Sequence, residues 1–133
     1  MINKIGTLLI FLGTLLGVGQ AWSFGCPSNA DMQNAIANQS PTIVVADGTT
    51  FHLDIMSHAT PSAVSFTHAD LGPKDNKVVC YYGIGRATYQ SLATPVCTIN
   101  SGTTNVVPPG GEFKNSVTWY FARAPEDMVI VCN

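Results

Sequence analysis

The chain has 133 residues, of which 46% are hydrophobic and 11% charged, with a net charge of −2 and four cysteines. An average globular protein is about 25% charged, so this low charge density argues against a nucleic-acid-binding protein that depends on basic residues. It also argues against a coiled coil or a charged disordered tail. The length corresponds to one domain.

The N-terminus has the pattern of a secretory signal peptide. Lys4 supplies a positive charge, and residues 5–18 (IGTLLIFLGTLLGV) form an uncharged apolar segment. This segment is shorter than the roughly 20 residues of a membrane-spanning helix. The pattern therefore favours a cleaved signal over a membrane anchor and predicts a secreted or periplasmic protein.

Two positions fit the small-residue rule for signal cleavage, after Ala21 and after Ser23. We favour Ser23, which makes residues 1–23 the signal peptide and residues 24–133 a single secreted domain. No stable membrane anchor is expected after cleavage.

The four cysteines all follow the signal peptide. They are Cys26, Cys80, Cys97 and Cys132. An even number in a small exported chain predicts two disulfides, whereas a zinc site favours closely spaced pairs. Three pairings are open; we favour Cys80 with Cys97, closing a hairpin-sized loop, and Cys26 with Cys132, joining the two ends of the mature chain.

One helix is predicted, at residues 29–38, directly after Cys26-Pro27. Ser28 and Asp31 have the spacing of a helix N-cap pair. Ser40-Pro41 is expected to end the helix, because the residue before a proline avoids the helical region.

Short β-branched and aromatic runs follow the helix, separated by Gly, Pro, Asn and Asp. Strands are predicted at 42–46, 49–55, 63–68, 77–83, 95–99, 117–122 and 128–132. Asp47-Gly48 is the expected two-residue turn of the first hairpin, and residues 123–127 are expected to turn the last one. The sequence therefore predicts an α+β or mainly β domain, with one N-terminal helix packed on an antiparallel sheet of five to seven strands.

A histidine and an aspartate two positions apart occur on two of the predicted strands. His52 and Asp54 share one face, and His68 and Asp70 repeat the spacing. If the two strands pair, His52 lies opposite His68, and His52, Asp54 and His68 could bind a divalent metal, with His58 as a loop ligand. The alternative, which we favour, is that the histidines lie on separate solvated faces and that no cofactor is bound.

A tyrosine-rich surface is the second candidate site. Tyr82, Arg86, Tyr89 and Tyr120 are the residue types that protein interfaces favour. Side chains alternate along a strand, so Tyr120 is predicted to be exposed while Trp119 and Phe121 pack in the core. The alternative is that a core this small uses all of its aromatic residues.

Cys26-Pro27 lies at the start of the mature chain, Val78-Val79-Cys80-Tyr81-Tyr82 is a predicted strand, and Trp119 lies on a late strand before a cysteine near the end. Together with the signal peptide, these features resemble the small exported bacterial proteins of the domain-of-unknown-function family DUF3757. The resemblance implies an exported protein of Gram-negative bacteria and no assigned activity. A second, weaker similarity is to small periplasmic lysozyme inhibitors, which have a Y-x-C strand in a β-barrel.

These patterns predict an exported binding or structural protein without catalytic activity, monomeric, with a protein or glycan partner and no nucleic acid. Two alternatives stay open. One is a hydrolase using either a metal held by His52, Asp54 and His68 or an unrecognised triad. The other is an enzyme inhibitor with a protruding loop at residues 83–91 or 101–111.

Overall fold

The computed structural model of the chain describes residues 22–45, 48–71, 77–90, 97–100, 102–110 and 116–132. These residues form one α-helix, ten β-strands and two short 3₁₀ helices. In chain order the helix and strands are β1 (Trp22–Phe24), α1 (Asn29–Ala37), β2 (Thr42–Val44), β3 (Thr50–Ile55), β4 (His68–Leu71), β5 (Lys77–Tyr81), β6 (Gly85–Gln90), β7 (Cys97–Asn100), β8 (Thr103–Val107), β9 (Val117–Phe121) and β10 (Val129–Cys132). The 3₁₀ helices span Pro61–Ala63 and Pro125–Asp127.

The strands form two sheets, and every described strand pair is antiparallel. The larger sheet has seven strands in the order β2-β3-β6-β5-β4-β9-β8, and the smaller has three in the order β1-β10-β7. One helix packed against antiparallel sheets, with two disulfides, confirms the predicted α+β or mainly β class. The described residues contain more strands than the five to seven expected.

Helix α1 begins and ends through local hydrogen bonds. The Ser28 side chain accepts a hydrogen bond from the backbone N–H of Asp31 at 3.0 Å, as the N-cap spacing predicts. At the other end, Gln39 has a φ of 54° and the Ser40 N–H donates to the carbonyl of Ala35 at 2.8 Å. This is a Schellman-type ending, so the helix stops before the Ser40-Pro41 bond is reached.

The first hairpin, β2 with β3, is confirmed, with Ile43 opposite Phe51. Its turn differs from the predicted two-residue form: the Val45 N–H donates to the Thr49 carbonyl, and the Gly48 N–H donates back to the Val45 carbonyl. Gly48 has a φ of 92°, the glycine position of a longer hairpin loop. The predicted turn residue Asp47 lies outside the described residues.

The core lies between the inner face of the seven-stranded sheet, helix α1 and the three-stranded sheet. Phe24 of β1 makes edge-on contacts with Phe51 of β3 and Tyr89 of β6, at ring-centroid distances of 5.9 and 5.0 Å. Met32 of α1 and Ile130 of β10 are fully buried in the same cluster. One contiguous core therefore joins both sheets and the helix.

The disulfides connect Cys26 with Cys80 and Cys97 with Cys132. The expected pairing of Cys80 with Cys97 and of Cys26 with Cys132 was wrong. Cys97 and Cys132 are directly opposite in the β7–β10 register, with Cα atoms 4.0 Å apart. Cys80 is instead on the buried face of β5 in the other sheet, where Cys26 reaches it.

Three further predictions about strands were wrong. The strand expected at 63–68 is a 3₁₀ turn followed by a non-strand segment, and β4 starts only at His68. The loop at 123–127 does not turn a hairpin, because β9 and β10 belong to different sheets. The loop expected at 83–91 contains β6, which lies between β3 and β5.

None of the described helices has both the length and the apolar character that crossing a membrane would require. Two disulfides indicate that the chain folds in an oxidising environment, extracellular or periplasmic.

Candidate functional site

A row of polar and aromatic side chains crosses four neighbouring strands of the larger sheet. In the strand register Asp54 of β3 is opposite Arg86 of β6, Arg86 is opposite Tyr81 of β5, and Tyr81 is opposite His68 of β4. Because side chains alternate along each strand, these four project from the same face of the sheet. We call this the outer face, since the residues that alternate with them, such as Cys80, are buried on the core side.

Arg86 and Asp54 form an ion pair at one end of the row. Nη2 and Nε of Arg86 lie 3.1 and 3.2 Å from the same carboxylate oxygen, Asp54 Oδ2. The side chains are 51% and 70% exposed, so both charged groups are accessible to a ligand.

Asp70 lies on the outer face between Val79 of β5 and Trp119 of β9, and it is only 6% exposed. Burial raises the pKa of Asp70, while hydrogen bonding with Tyr81 and the charge of Arg86 oppose that rise. Burial, together with the neighbouring Asp70, raises the pKa of Tyr81 to about 12, so its hydroxyl remains a donor at neutral pH.

His68 is sandwiched between two aromatic rings. Its ring centroid is 4.5 Å from that of Tyr81 and 4.1 Å from that of Trp119, with interplanar angles of 19° and 22°. The Phe121 ring extends the cluster, with its centroid 6.1 Å from that of His68. The aromatic stack thus spans β5, β4 and β9 and forms the uncharged part of the outer face.

The His68 ring is also held by a hydrogen bond. Its Nδ1 lies 2.9 Å from the Thr67 hydroxyl, which is 3.3 Å from the carbonyl oxygen of Tyr81. Burial lowers the pKa of His68, which favours the neutral imidazole at neutral pH.

A cavity of about 340 Å³ opens at the charged end of the row. Its lining combines an ion pair, an aromatic ring, an imidazole, a hydroxyl, a thioether and two glycines. These residues are Asp54, Met56, Thr67, His68, Tyr81, Gly83, Gly85 and Arg86. The volume is at the lower end of the range for small-ligand sites, about 300–1,000 Å³.

Two other cavities of similar size lie at the ends of the helix. One, of about 320 Å³, lies at the N-terminal end and includes Asp31 and Glu126. The other, of about 360 Å³, lies at the C-terminal end and includes Gln39 and His58. Neither lining includes an aromatic ring beside a charge pair of opposite sign, and the outer-face cavity is therefore the candidate site.

Of the three predicted metal ligands, Asp54 and His68 line one cavity but His52 does not. His52 is opposite Thr88, and the β3 strand that holds His52 and Asp54 is separated from His68 on β4 by both β6 and β5. Three strand spacings amount to about 14 Å, far beyond a shared coordination sphere. No group of three potential ligands occurs in the part of the chain that the structure describes. The condition under which His52 would lie opposite His68 is not met, because their strands are not neighbours.

Three of the four residues predicted to form a tyrosine-rich surface belong to the core side. Tyr82 is fully buried and donates a hydrogen bond to the Pro27 carbonyl; Tyr89 packs on Phe24, and Tyr120 packs against the core cluster. Arg86 alone among the four is on the outer face. The sequence correctly predicted that successive aromatic side chains on a strand point to opposite faces. It exchanged the face that packs on the core with the outer face.

Sequence reasoning missed the residues that do accompany Arg86 on the outer face, namely Tyr81, Trp119, Phe121 and Asp70 in its buried position. The sequence held one partial signal: a charged side chain avoids the core, so Arg86 indicates which face of its strand meets solvent. The register that places Tyr81 opposite Arg86 is known only from the structure.

Comparisons with known proteins give no relative. No protein-family model, no curated protein and no solved structure matches the chain.

Proposed function

We propose that the chain is a small exported binding protein and that the outer-face cavity is its binding site. The carrying observation is the unbroken row Asp54, Arg86, Tyr81 and His68, which places an accessible ion pair beside an aromatic stack at the mouth of one cavity. Binding sites typically combine apolar walls with a few polar groups in fixed positions. The two disulfides fix the scaffold behind the row.

The contacts within the row favour binding over catalysis. In a triad a carboxylate orients the histidine, but the Asp54 carboxylate is held by Arg86, and no hydrogen bond between His68 and a carboxylate occurs among the described residues. The Nδ1 of His68 is hydrogen-bonded to the Thr67 hydroxyl instead. The described cysteines are all bridged, which removes a thiol nucleophile.

The resemblance to DUF3757 and export by the N-terminal signal remain part of the same proposal. A signal peptide is consistent with the oxidising compartment that two disulfides require. The partner is either a protein or a glycan, and the protein binds it as a monomer.

Capture from extracts tests the proposal. The mature, oxidised protein is immobilised as wild type, as Arg86→Gln and as the matched control Arg123→Gln, whose arginine is exposed but does not line the cavity. Each is incubated with periplasmic and host extracts, and every retained component is identified and rebound in purified form. We expect a component retained by the wild type and by Arg123→Gln but lost from Arg86→Gln. Equal retention by all three proteins, or no retention, contradicts the proposal.

A further inference from the structure

Resting on the proposed function of the outer-face cavity, we propose that its ligand is a neutral saccharide with two adjacent hydroxyl groups held between Asp54 and Arg86. The proposal uses three properties of the cavity: its balance of charge, the hydrogen-bonding capacity left in its ion pair, and its apolar wall.

The lining has no excess of either charge. The guanidinium of Arg86 is matched by the carboxylate of Asp54 at 3.1 Å. Burial favours a neutral His68, and Tyr81 keeps its proton because its pKa is about 12. Another carboxylate of the outer face, Asp70, is buried and does not line the cavity. A charged ligand would have to compete with an existing partner for either member of the ion pair, whereas a neutral one would not.

The ion pair retains both donor and acceptor capacity. Nε and Nη2 of Arg86 both lie against Oδ2 of Asp54, and no hydrogen bond to Oδ1 occurs among the described residues. The guanidinium has more N–H donors than its contacts with Asp54 use. The Asp54 carboxylate only accepts hydrogen bonds and the Arg86 guanidinium only donates them. The pair therefore suits a ligand with two neighbouring groups that can each donate and accept. Adjacent hydroxyls of a sugar ring have that property.

The rest of the lining supplies an apolar wall and space. Tyr81 and the exposed Met56 border the cavity, and Gly83 and Gly85 add no side chains to it. At Gly85 the chain approaches β3 so closely that a Cβ would be 2.5 Å from the Asp54 carbonyl oxygen, so this position has no room for a side chain. The C–H face of a pyranose ring can pack on such a wall while its hydroxyls reach the ion pair. A volume of about 340 Å³ accommodates the terminal one or two rings of a glycan.

Saturation-transfer NMR and calorimetric titration with defined sugars test the inference. The neutral probes are methyl glycosides and disaccharides of glucose, galactose, mannose, fucose and N-acetylglucosamine; glucuronate and glucosamine are the anionic and cationic counterparts. Asp54→Asn and Arg86→Gln are compared with the matched controls Asp127→Asn and Arg123→Gln, which are exposed positions outside the cavity lining.

We expect at least one neutral sugar to bind the wild type and both controls. Loss of one charge-assisted hydrogen bond should weaken binding to Asp54→Asn and Arg86→Gln by about tenfold or more. Tighter binding of a charged counterpart than of every neutral probe, no binding by any neutral probe, or equal binding by cavity and control variants overturns the inference. If sugars fail while an extract protein is retained in an Arg86-dependent way, the saccharide inference falls and the proposed function stands. If neither depends on Arg86, both fall.

Discussion

Arg86 on β6 holds Asp54 on β3 through two nitrogens that share one carboxylate oxygen, at 3.1 and 3.2 Å, on an exposed face of the sheet. Exposed ion pairs contribute about 1 kcal/mol or less to stability. Arg86→Gln and Asp54→Asn should therefore lower the free energy of unfolding by no more than about 1 kcal/mol, while abolishing most of the ligand binding proposed for the cavity. Urea denaturation measured beside binding separates the two effects. A loss of several kcal/mol in either variant would mean that the pair is structural.

Replacement of His68 should change how stability depends on pH. Burial lowers the pKa of His68 below 6.5, so the folded state binds a proton less readily than the unfolded chain. Above pH 6.5 the histidine is neutral in the folded and unfolded states, and the free energy of unfolding has its full value. It decreases as the pH falls through 6.5 toward the lower pKa of the folded state. His68→Phe keeps a ring between Tyr81 and Trp119 but cannot be protonated.

The measurement is the free energy of unfolding of wild type and His68→Phe between pH 8 and about pH 5, across the ordinary histidine pKa. The wild type should lose more stability than the variant over that interval. Parallel curves, or an NMR titration that places the pKa of His68 above 6.5, would contradict the stacked, partly buried position of the ring.

Gly85 is expected to tolerate no side chain. A Cβ there would be 2.5 Å from the Asp54 carbonyl oxygen and 2.9 Å from Ile55 Cα, both backbone atoms of the neighbouring strand. Gly85→Ala should cost about 1–3 kcal/mol, because the two strands must separate to admit the methyl group. Gly102→Ala is the matched control: nothing lies within 4 Å of its Cβ, and its cost should be within about 0.5 kcal/mol. Equal thermal stability of the two variants would mean that β3 and β6 do not approach this closely.

Both disulfides should contribute substantially to stability. The cross-linked cysteines are separated by 54 and 35 residues in sequence, and loop-closure entropy gives about 4 kcal/mol for each. We expect the double variants Cys26→Ala/Cys80→Ala and Cys97→Ala/Cys132→Ala to lose similar amounts in denaturant titrations. Peptide mapping without reduction should link Cys26 to Cys80, and a peptide linking Cys80 to Cys97 would refute the pairing.

The position of β1 favours Ala21 over Ser23 as the cleavage site of the proposed signal peptide. Trp22 and Ser23 are opposite Cys132 and Val131 of β10, so cleavage after Ser23 would remove two of the three residues of the strand. Cleavage after Ala21 keeps all of β1. Intact-mass and N-terminal analysis of the exported protein should find Trp22 as the first residue, and a mature chain beginning at Phe24 would contradict the role of β1 in the three-stranded sheet.

Local patterns in the sequence were sufficient for much of the secondary structure. The Ser28 cap, the hairpin of β2 with β3 and the apolar alternation of β5 depend on residues near each other in the chain. Such features follow from short-range sterics and hydrogen bonds. Strand β8, in a segment rich in Gly and Pro, lies at the edge of the larger sheet, where these residues are tolerated better than in a central strand.

Long-range pairing could not be read in the same way. Strands β3 and β4 follow each other in the chain, yet β6 and β5 lie between them, so the histidines they hold do not meet. Strands with aromatic residues on both faces, such as β9, give no indication of which face is buried. Trp119 and Phe121 were therefore assigned to the core, although on the outer face Trp119 stacks on His68 and meets Phe121 edge-on.

The most direct test of the outer face as a binding site uses the two arginines of the chain, Arg86 and Arg123. Each gives one side-chain Nε–H resonance in a proton–nitrogen correlation spectrum, and only Arg86 lines the cavity. During titration with the neutral sugars, the Arg86 resonance should shift and saturate while that of Arg123 stays in place. An unmoved Arg86 resonance at saturating ligand, or equal shifts of both arginines, would contradict the account.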